Sequence, residues 1–200
     1  QRSITQKWQT NVAQSEIKGA NILDMTHLKV DKNIKNSDDL IFIKSNYSNK
    51  ESVFDILLES AKWLHSCGVN QWPLDWLYKV KPKIETSVEN GNFHILYAHG
   101  EIAGIIEITI DPQEIWDSIE GNSVYISKFA IPKKFKGNGV GSLILKIIKN
   151  YAFENRFTSI RLDCSGSNEK LKEFYRSNGF KEVNNVVFGG FKSTLMEFTL

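Results

Sequence analysis

The stretch Ala130-Ile131-Pro132-Lys133-Lys134-Phe135-Lys136-Gly137-Asn138-Gly139-Val140-Gly141-Ser142 decides the fold. Strand formers from Val124 to Ile131 lead into it, and an amphipathic helix leads out from Ser142 to Asn155. In that helix Ile144, Ile147, Ile148 and Tyr151 form one apolar stripe. Between the two, Gly137, Gly139 and Gly141 allow a tight turn and let a ligand approach the backbone N–H groups. The first turn of the helix adds unpaired donors and the positive end of a dipole. Such a strand–glycine loop–helix unit is an anion site suited to a pyrophosphate. Lys133, Lys134 and Lys136 add positive charge for further phosphates.

Two familiar phosphate motifs fail here. A Walker loop ends in Gly-Lys-Ser/Thr, whereas this loop ends in Val140-Gly141-Ser142. The dinucleotide fingerprint Gly-x-Gly-x-x-Gly meets Ser142 or Ile144 where its last glycine belongs. A third pattern fits: a basic or Gln residue, two residues, Gly, one residue, then Gly or Ala. Lys136, Gly139 and Gly141 occupy its fixed positions.

Further along, Asn168-Glu169-Lys170-Leu171-Lys172-Glu173-Phe174-Tyr175-Arg176-Ser177-Asn178-Gly179-Phe180 resembles motif B of the GNAT superfamily of acyl-CoA-dependent N-acetyltransferases. The glycine loop resembles motif A of that family, with Lys136 where Arg or Gln is usual. The resemblance covers residues 39–200, with residues 1–38 left as an N-terminal extension. It implies an α+β fold: a mixed, mostly antiparallel sheet with helices on both faces. It also implies a function, transfer of an acetyl group from acetyl-CoA to a primary amine of a small molecule by direct attack.

The same resemblance assigns residues. Backbone groups of Phe129 and Ile131 would pair with the pantetheine amides of acetyl-CoA. The N–H groups of Lys136, Gly137, Asn138, Gly139, Val140, Gly141 and Ser142 would hold the pyrophosphate, and Asn168 would bond the cofactor near the end of the fifth strand. Tyr175 matches the family tyrosine beside the sulfur and is assigned as general acid. Glu107 interrupts the apolar run Ile105–Ile110, and alternation places it opposite Ile106, Ile108 and Ile110. It is either the catalytic base or a carboxylate on a solvated face. A water chain ending at Glu107, Ser127 or Tyr125 would serve as well.

Family acceptor sites lie largely on the first two helices and their loop. Trp63-x-x-x-x-Gly68 followed by Gln71-Trp72-Pro73 looks like a recurring feature of bacterial small-molecule members. Trp72 and Trp76 with Asp75 would suit a cationic amine, while Trp63 is expected in the core. Two alternatives stay open: a non-catalytic acyl-CoA sensor or partner-binding module, and a protein or peptide N-acetyltransferase. The expected partners are the amine and, as an open option, a second copy in a homodimer; neither nucleic acid nor membrane is expected.

Composition agrees with a globular protein and by itself names no function. The chain has 200 residues, a net charge of +2 and 41% hydrophobic residues. That charge is too small to imply nucleic acid or an acidic membrane. Cys67 and Cys164 make neither a disulfide framework nor a zinc pattern, and buried free thiols are expected. His27, His65, His94 and His99 show no metal spacing, so each is read as structural or exposed. With no basic, apolar leader and no run near the ~18 residues of a membrane span, a cytoplasmic protein is expected.

The rest of the chain reads as β-α-α-β-β-β-α-β-α-β-β. A short helix ending at Gly19, with Trp8, Val12 and Ile17 on one face, and a strand within Ile22–Val30 are expected in the extension. A strand over Asp39–Lys44 and a helix over Lys50–His65 follow, then a helical region broken near Pro82, because proline has no N–H and clashes with the preceding turn. The runs Phe93–Tyr97 and Ala103–Ile110 read as a hairpin.

Overall fold

The structure, a computed structural model, describes residues 40–69, 71–116 and 121–200. The features expected within residues 1–38, and Asp39 as a strand start, lie outside the described residues. Seven strands form one sheet: β1 (Leu40–Lys44), β2 (Phe93–Ala98), β3 (Glu101–Thr109), β4 (Ser123–Ala130), β5 (Ser159–Ser165), β6 (Lys181–Phe188) and β7 (Phe191–Thr199). Their order is β1-β2-β3-β4-β5-β7-β6. Only β4 and β5 run parallel, joined by a helical crossover. Among the described residues, four α-helices pack on the sheet: α1 (Lys50–Ser66), α2 (Leu74–Glu89), α3 (Val140–Glu154) and α4 (Glu169–Ser177).

Period-two patterning builds the centre of the sheet. The β2–β3 hairpin turns through His99-Gly100, both at positive φ (51° and 79°), which suits the twist of the strands it joins. Along β3, Ile106 and Ile108 face one core and Ile105 the other. α3 covers the first core with Ile144, Leu145, Ile147, Ile148, Tyr151 and Ala152. The second core lies under α1 and α2, through Val53, Phe54, Leu57, Leu77, Ile84 and Val88. Each fully buried Ile or Leu contributes about 1.5–3 kcal/mol, so α3 is anchored by its apolar stripe. Its first turn therefore needs no protein cap. α3 sits so close to β3 that a Cβ on Gly104 would meet Ile144 at 2.6 Å and Ile131 at 2.8 Å.

α2 corrects one expectation. It runs unbroken from Leu74 to Glu89 with Pro82 inside it. Pro82 is exposed while Leu77, Ile84 and Val88 are buried. The lost hydrogen bond thus falls on the face open to water, where a freed carbonyl can be solvated. Thr86 Oγ1 donates to the Pro82 carbonyl at 3.0 Å, one turn on. The buried stripe continues past the proline and holds the helix together.

Candidate active site

The parallel pair β4–β5 opens where the site begins. Their pairing ends at Ile126–Leu162, whereas β5 stays paired with β7 as far as Ser165. On the other side, β4 carries one extra residue against β3: Ile105 pairs with Ala130, and Glu107 with Ser127. Lys128, in the bulge, has φ +44°. A lysine held there costs about 1–3 kcal/mol, and its ion pair with Glu107 offsets that cost. The bulge turns the end of β4 away from β5.

The glycine loop runs from this opening into α3. Gly137 and Gly139 have φ +79° and +77°, and a side chain built on either would meet nothing within 4 Å. Gly139 is the N-cap of α3 and gives no side-chain cap. Among the described residues, none accepts from the N–H groups of Gly137 to Ser142; the first bond of the helix is Leu143 N–H to the Gly139 carbonyl, 3.0 Å. A convergent set of free donors sits at the positive end of a fifteen-residue helix. Gly141 is needed for a different reason. A Cβ there would meet the Phe174 ring at 2.9 Å, and the Phe129 ring lies 3.7 Å away. Phe129 and Phe174, 6.4 Å apart between centroids, thus face each other beside the loop.

Lys136 differs from the rest of the loop. Its N–H is bonded to the Lys133 carbonyl at 3.3 Å, so the open donors begin at Gly137. Its ammonium lies 3.1 Å from the Trp63 ring centroid. Burial lowers its pKa, against the pull of Cys67 and Glu59. Trp63 is therefore a half-buried platform for a cation, not a core residue as its place on a helix suggested. Lys134 is held by Glu101, at 2.6 Å.

Glu107 is buried, on the α1–α2 face of the sheet. Ser87 donates to its Oε1, while Ser127, at 2.5 Å, and Lys128 donate to Oε2. Burial works to raise its pKa, but Lys128 and the three hydrogen bonds outweigh burial and hold the carboxyl below its ordinary value. Both oxygens are engaged, so it is not the solvated carboxylate that was one of the two options.

Tyr175 is buried on α4, between Phe174 (5.3 Å) and Phe180 (5.7 Å). Burial, then Cys164 and Asp163, push its pKa well above that of a free phenol, so it keeps its proton throughout the neutral range. Asn168 caps α4 by accepting from Leu171 N–H at 3.1 Å. Its Nδ2 donates to Gln71 Oε1 at 3.0 Å. That bond ties the α1–α2 turn to the start of α4 across 97 residues of sequence.

The aromatic turn is partly packed. Trp72, at φ +56°, and Trp76 are both half-buried against the α1–α2 core, and Asp75 is exposed in the first turn of α2. Of the two cysteines, Cys164 is buried and Cys67 is exposed, which corrects the expectation that both are buried. His94 is buried and stacked on Phe42 at 5.6 Å, while His65 and His99 are exposed; His27 lies outside the described residues. Sequence reasoning missed Ser87, Lys128 and Asp163, and it gave Gln71 no partner. Lys128 and Asp163 are placed by the bulge and the sheet register, and Ser87 and Gln71 by contacts of α2 and the α1–α2 turn; none of these leaves a local signal. Among the described residues no helix is long and apolar enough to cross a membrane.

Comparison with known proteins agrees with this geometry. Residues 57–180 match the model of the acetyltransferase (GNAT) family. Over 142 residues the chain is 30% identical to the uncharacterized N-acetyltransferase YesJ of Bacillus subtilis (strain 168), covering 68% of this chain and 78% of that protein. Solved structures share the fold at lower identity. A GNAT-family acetyltransferase of Listeria monocytogenes 4b F2365 is 23% identical with a TM-score of 0.65, over 80% of this chain and 95% of that one. RimL, a ribosomal L7/L12 alpha-N-protein acetyltransferase in complex with coenzyme A, is 19% identical with a TM-score of 0.61, over 84% and 97%. The aminoglycoside acetyltransferase AAC(6')-Ib with coenzyme A is 16% identical with a TM-score of 0.59, over 80% and 94%. The family match spans more than half the chain and falls on the elements that build the opening and the loop; the chain belongs to the GNAT family of acetyltransferases.

Proposed function

We propose that this protein transfers an acetyl group from acetyl-CoA to a primary amine of a small molecule, by direct attack of the amine on the thioester. The observation that carries this reading is the row of unpaired N–H groups from Gly137 to Ser142 at the start of α3. A pyrophosphate offers the convergent anionic acceptors those donors lack. In this reading Gly137, Asn138, Gly139, Val140, Gly141 and Ser142 hold the pyrophosphate through their backbone, and Lys136 adds charge from beside the loop. The backbone of Phe129 and Ile131, beyond the last β4–β5 pair, meets the peptide-like pantetheine. Asn168 has a second amide hydrogen to give to the cofactor. When bound, acetyl-CoA supplies the activated acyl group.

The residues do the rest. An alkylammonium, with pKa about 10.4, must lose a proton before it attacks. Tyr175 keeps its proton until sulfur needs it and gives it to the leaving thiolate. Glu107 holds Lys128 and Ser127 in place at the bulge; with both oxygens engaged and its pKa lowered, it positions rather than accepts protons. Trp72 and Trp76 wall the acceptor site, and Asp75 favours a cation at its rim. Residues 39–200 form the catalytic unit, with 1–38 as an extension, in a cytoplasmic setting consistent with two free thiols.

The test is thiol release from acetyl-CoA with polyamines, amino acids, aminoglycosides and peptides. Turnover highest with a non-peptide primary amine supports the reading. A clear preference for peptides would assign a protein N-acetyltransferase instead. Tight acetyl-CoA binding without thiol release for any amine would assign a sensor.

A further inference from the structure

We propose that Asp163, on β5, is the carboxylate that receives the acceptor's ammonium group and takes its proton. This rests on the acetyltransferase reading above and names the base that it leaves open.

The position of Asp163 follows from the sheet. Leu162 is the last β5 residue paired with β4, so Asp163 is the first residue beyond the split. Leu162 and Cys164 lie in the α3–α4 core. Asp163 therefore points to the opposite face, the face that Glu107 and Ser127 share. It is half-buried, which leaves it reachable from the opening.

The two carboxylates of this face are treated in opposite ways. Glu107 is bonded by Ser87, Ser127 and Lys128. Asp163 accepts from one described side chain, Ser193 Oγ of β7, at a loose 3.3 Å. An ionised carboxylate has about four acceptor sites, so Asp163 has room for an ammonium. The charged and titratable groups acting on it come from three elements. Lys128 of the β4 bulge pulls its pKa down, but Lys128 is itself paired with Glu107 of β3. Tyr175 of α4 and Cys164 of β5 itself stay protonated through the neutral range. Two residues back along β5, Arg161 is bound to Glu197 at 2.7 Å. Burial outweighs Ser193, Lys128 and the hydrogen bond from the residue's own backbone N–H and leaves the Asp163 carboxyl above its ordinary value, while Glu107 sits below its own. A proton acceptor gains from the first environment and loses from the second. Tyr175 belongs to the α3–α4 core with Cys164, so acid and base approach the split from opposite faces of β5.

The step balances. Asp163 takes one proton from the ammonium, freeing the nitrogen lone pair. Nitrogen bonds to the acetyl carbon, and the C–S bond breaks with its electron pair on sulfur. Tyr175 gives its proton to sulfur and regains one from the nitrogen, which ends as a neutral amide. Asp163 then releases its proton to water.

The experiment combines two readouts. Aspartate carboxyls are labelled with carbon-13 and titrated by NMR in the wild type and in Asp163→Asn, with acetyl-CoA bound. Turnover of spermidine, kanamycin and phenylethylamine is measured against pH in the wild type, Asp163→Asn, Asp163→Glu and Glu107→Gln. One carboxyl titrating above the range of exposed aspartates should vanish in Asp163→Asn. That variant should lose at least 100-fold in kcat/KM at pH 7, together with the acid limb of the profile. Asp163→Glu should recover part of both, and stabilisation by acetyl-CoA should stay unchanged. Wild-type turnover in Asp163→Asn with its acid limb unmoved would overturn the assignment. An Asp163 carboxyl titrating at or below the exposed range would overturn it too, even if none of the three amines is a substrate. Loss of acetyl-CoA stabilisation in the wild type would instead count against the underlying acetyltransferase reading.

Discussion

The glycine loop before α3 and the aromatic turn before α2, the two halves of the proposed site, are made from different material. The loop offers backbone: six N–H groups, Gly137 to Ser142, without a described acceptor. The turn offers side chains, Trp72, Asp75 and Trp76, two of them half-buried in a core. A backbone site depends on which residues permit the conformation, and glycine at φ near +80° is written into the sequence. A side-chain site depends on what packs behind it. The turn is held by Gln71 bonded to Asn168, a partner no local pattern reveals. The donor half of such a site is thus specified by local sequence and the acceptor half by tertiary contacts.

Substitutions can break this contrast. The largest effect is expected at the loop. Gly139→Val forces a β-branched residue to φ +77° and crowds the open donors. Stability should fall by about 1–3 kcal/mol, and acetyl-CoA affinity by 100-fold or more, read by titration calorimetry. An unchanged affinity would show that the loop backbone is not the cradle. Next comes Tyr175→Phe, which keeps the packing against Phe174 and Phe180. It should lower kcat by roughly 10²-fold or more, the range for a lost general acid, with the acetyl-CoA Kd nearly intact. On the acceptor side, Trp72→Ala should raise the KM of the amine by roughly tenfold, in line with the about 1–3 kcal/mol carried by pocket contacts. An equal loss of acetyl-CoA affinity would merge the two halves into one site.

The smallest effect concerns pH. The folded-state pKa of Glu107 is depressed, so its contribution to stability is present above its unfolded value and is lost as pH falls through the lower folded value. The wild-type Tm should therefore drop on acidification below the ordinary glutamate range. In Glu107→Gln that acid-side drop should be shallower, as followed by circular dichroism.

Much of the fold was legible for the same reason as the loop. The hairpin at His99-Gly100 and the apolar stripe of α3 are local patterns, and both formed as their period demanded. Pro82 misled because a proline breaks a helix only where its missing bond cannot be solvated, and its face is exposed. Trp63 misled because helical spacing does not say that Lys136 sits over the ring. The bulge at Lys128 had no glycine to announce it. The bulge brings Lys128 onto Glu107, which is bonded on both oxygens, while Asp163 accepts from one side chain, Ser193, at 3.3 Å.

The central claim is that the N–H groups of Gly137 to Ser142 hold the phosphates of acetyl-CoA. It is tested most directly by following backbone amide resonances of nitrogen-15-labelled protein during titration with coenzyme A. The account predicts that the largest shifts fall on Gly137, Gly139, Val140, Gly141 and Ser142, with smaller ones at Phe129 and Ile131. Resonances of the loop that stay in place at saturating coenzyme A would contradict it.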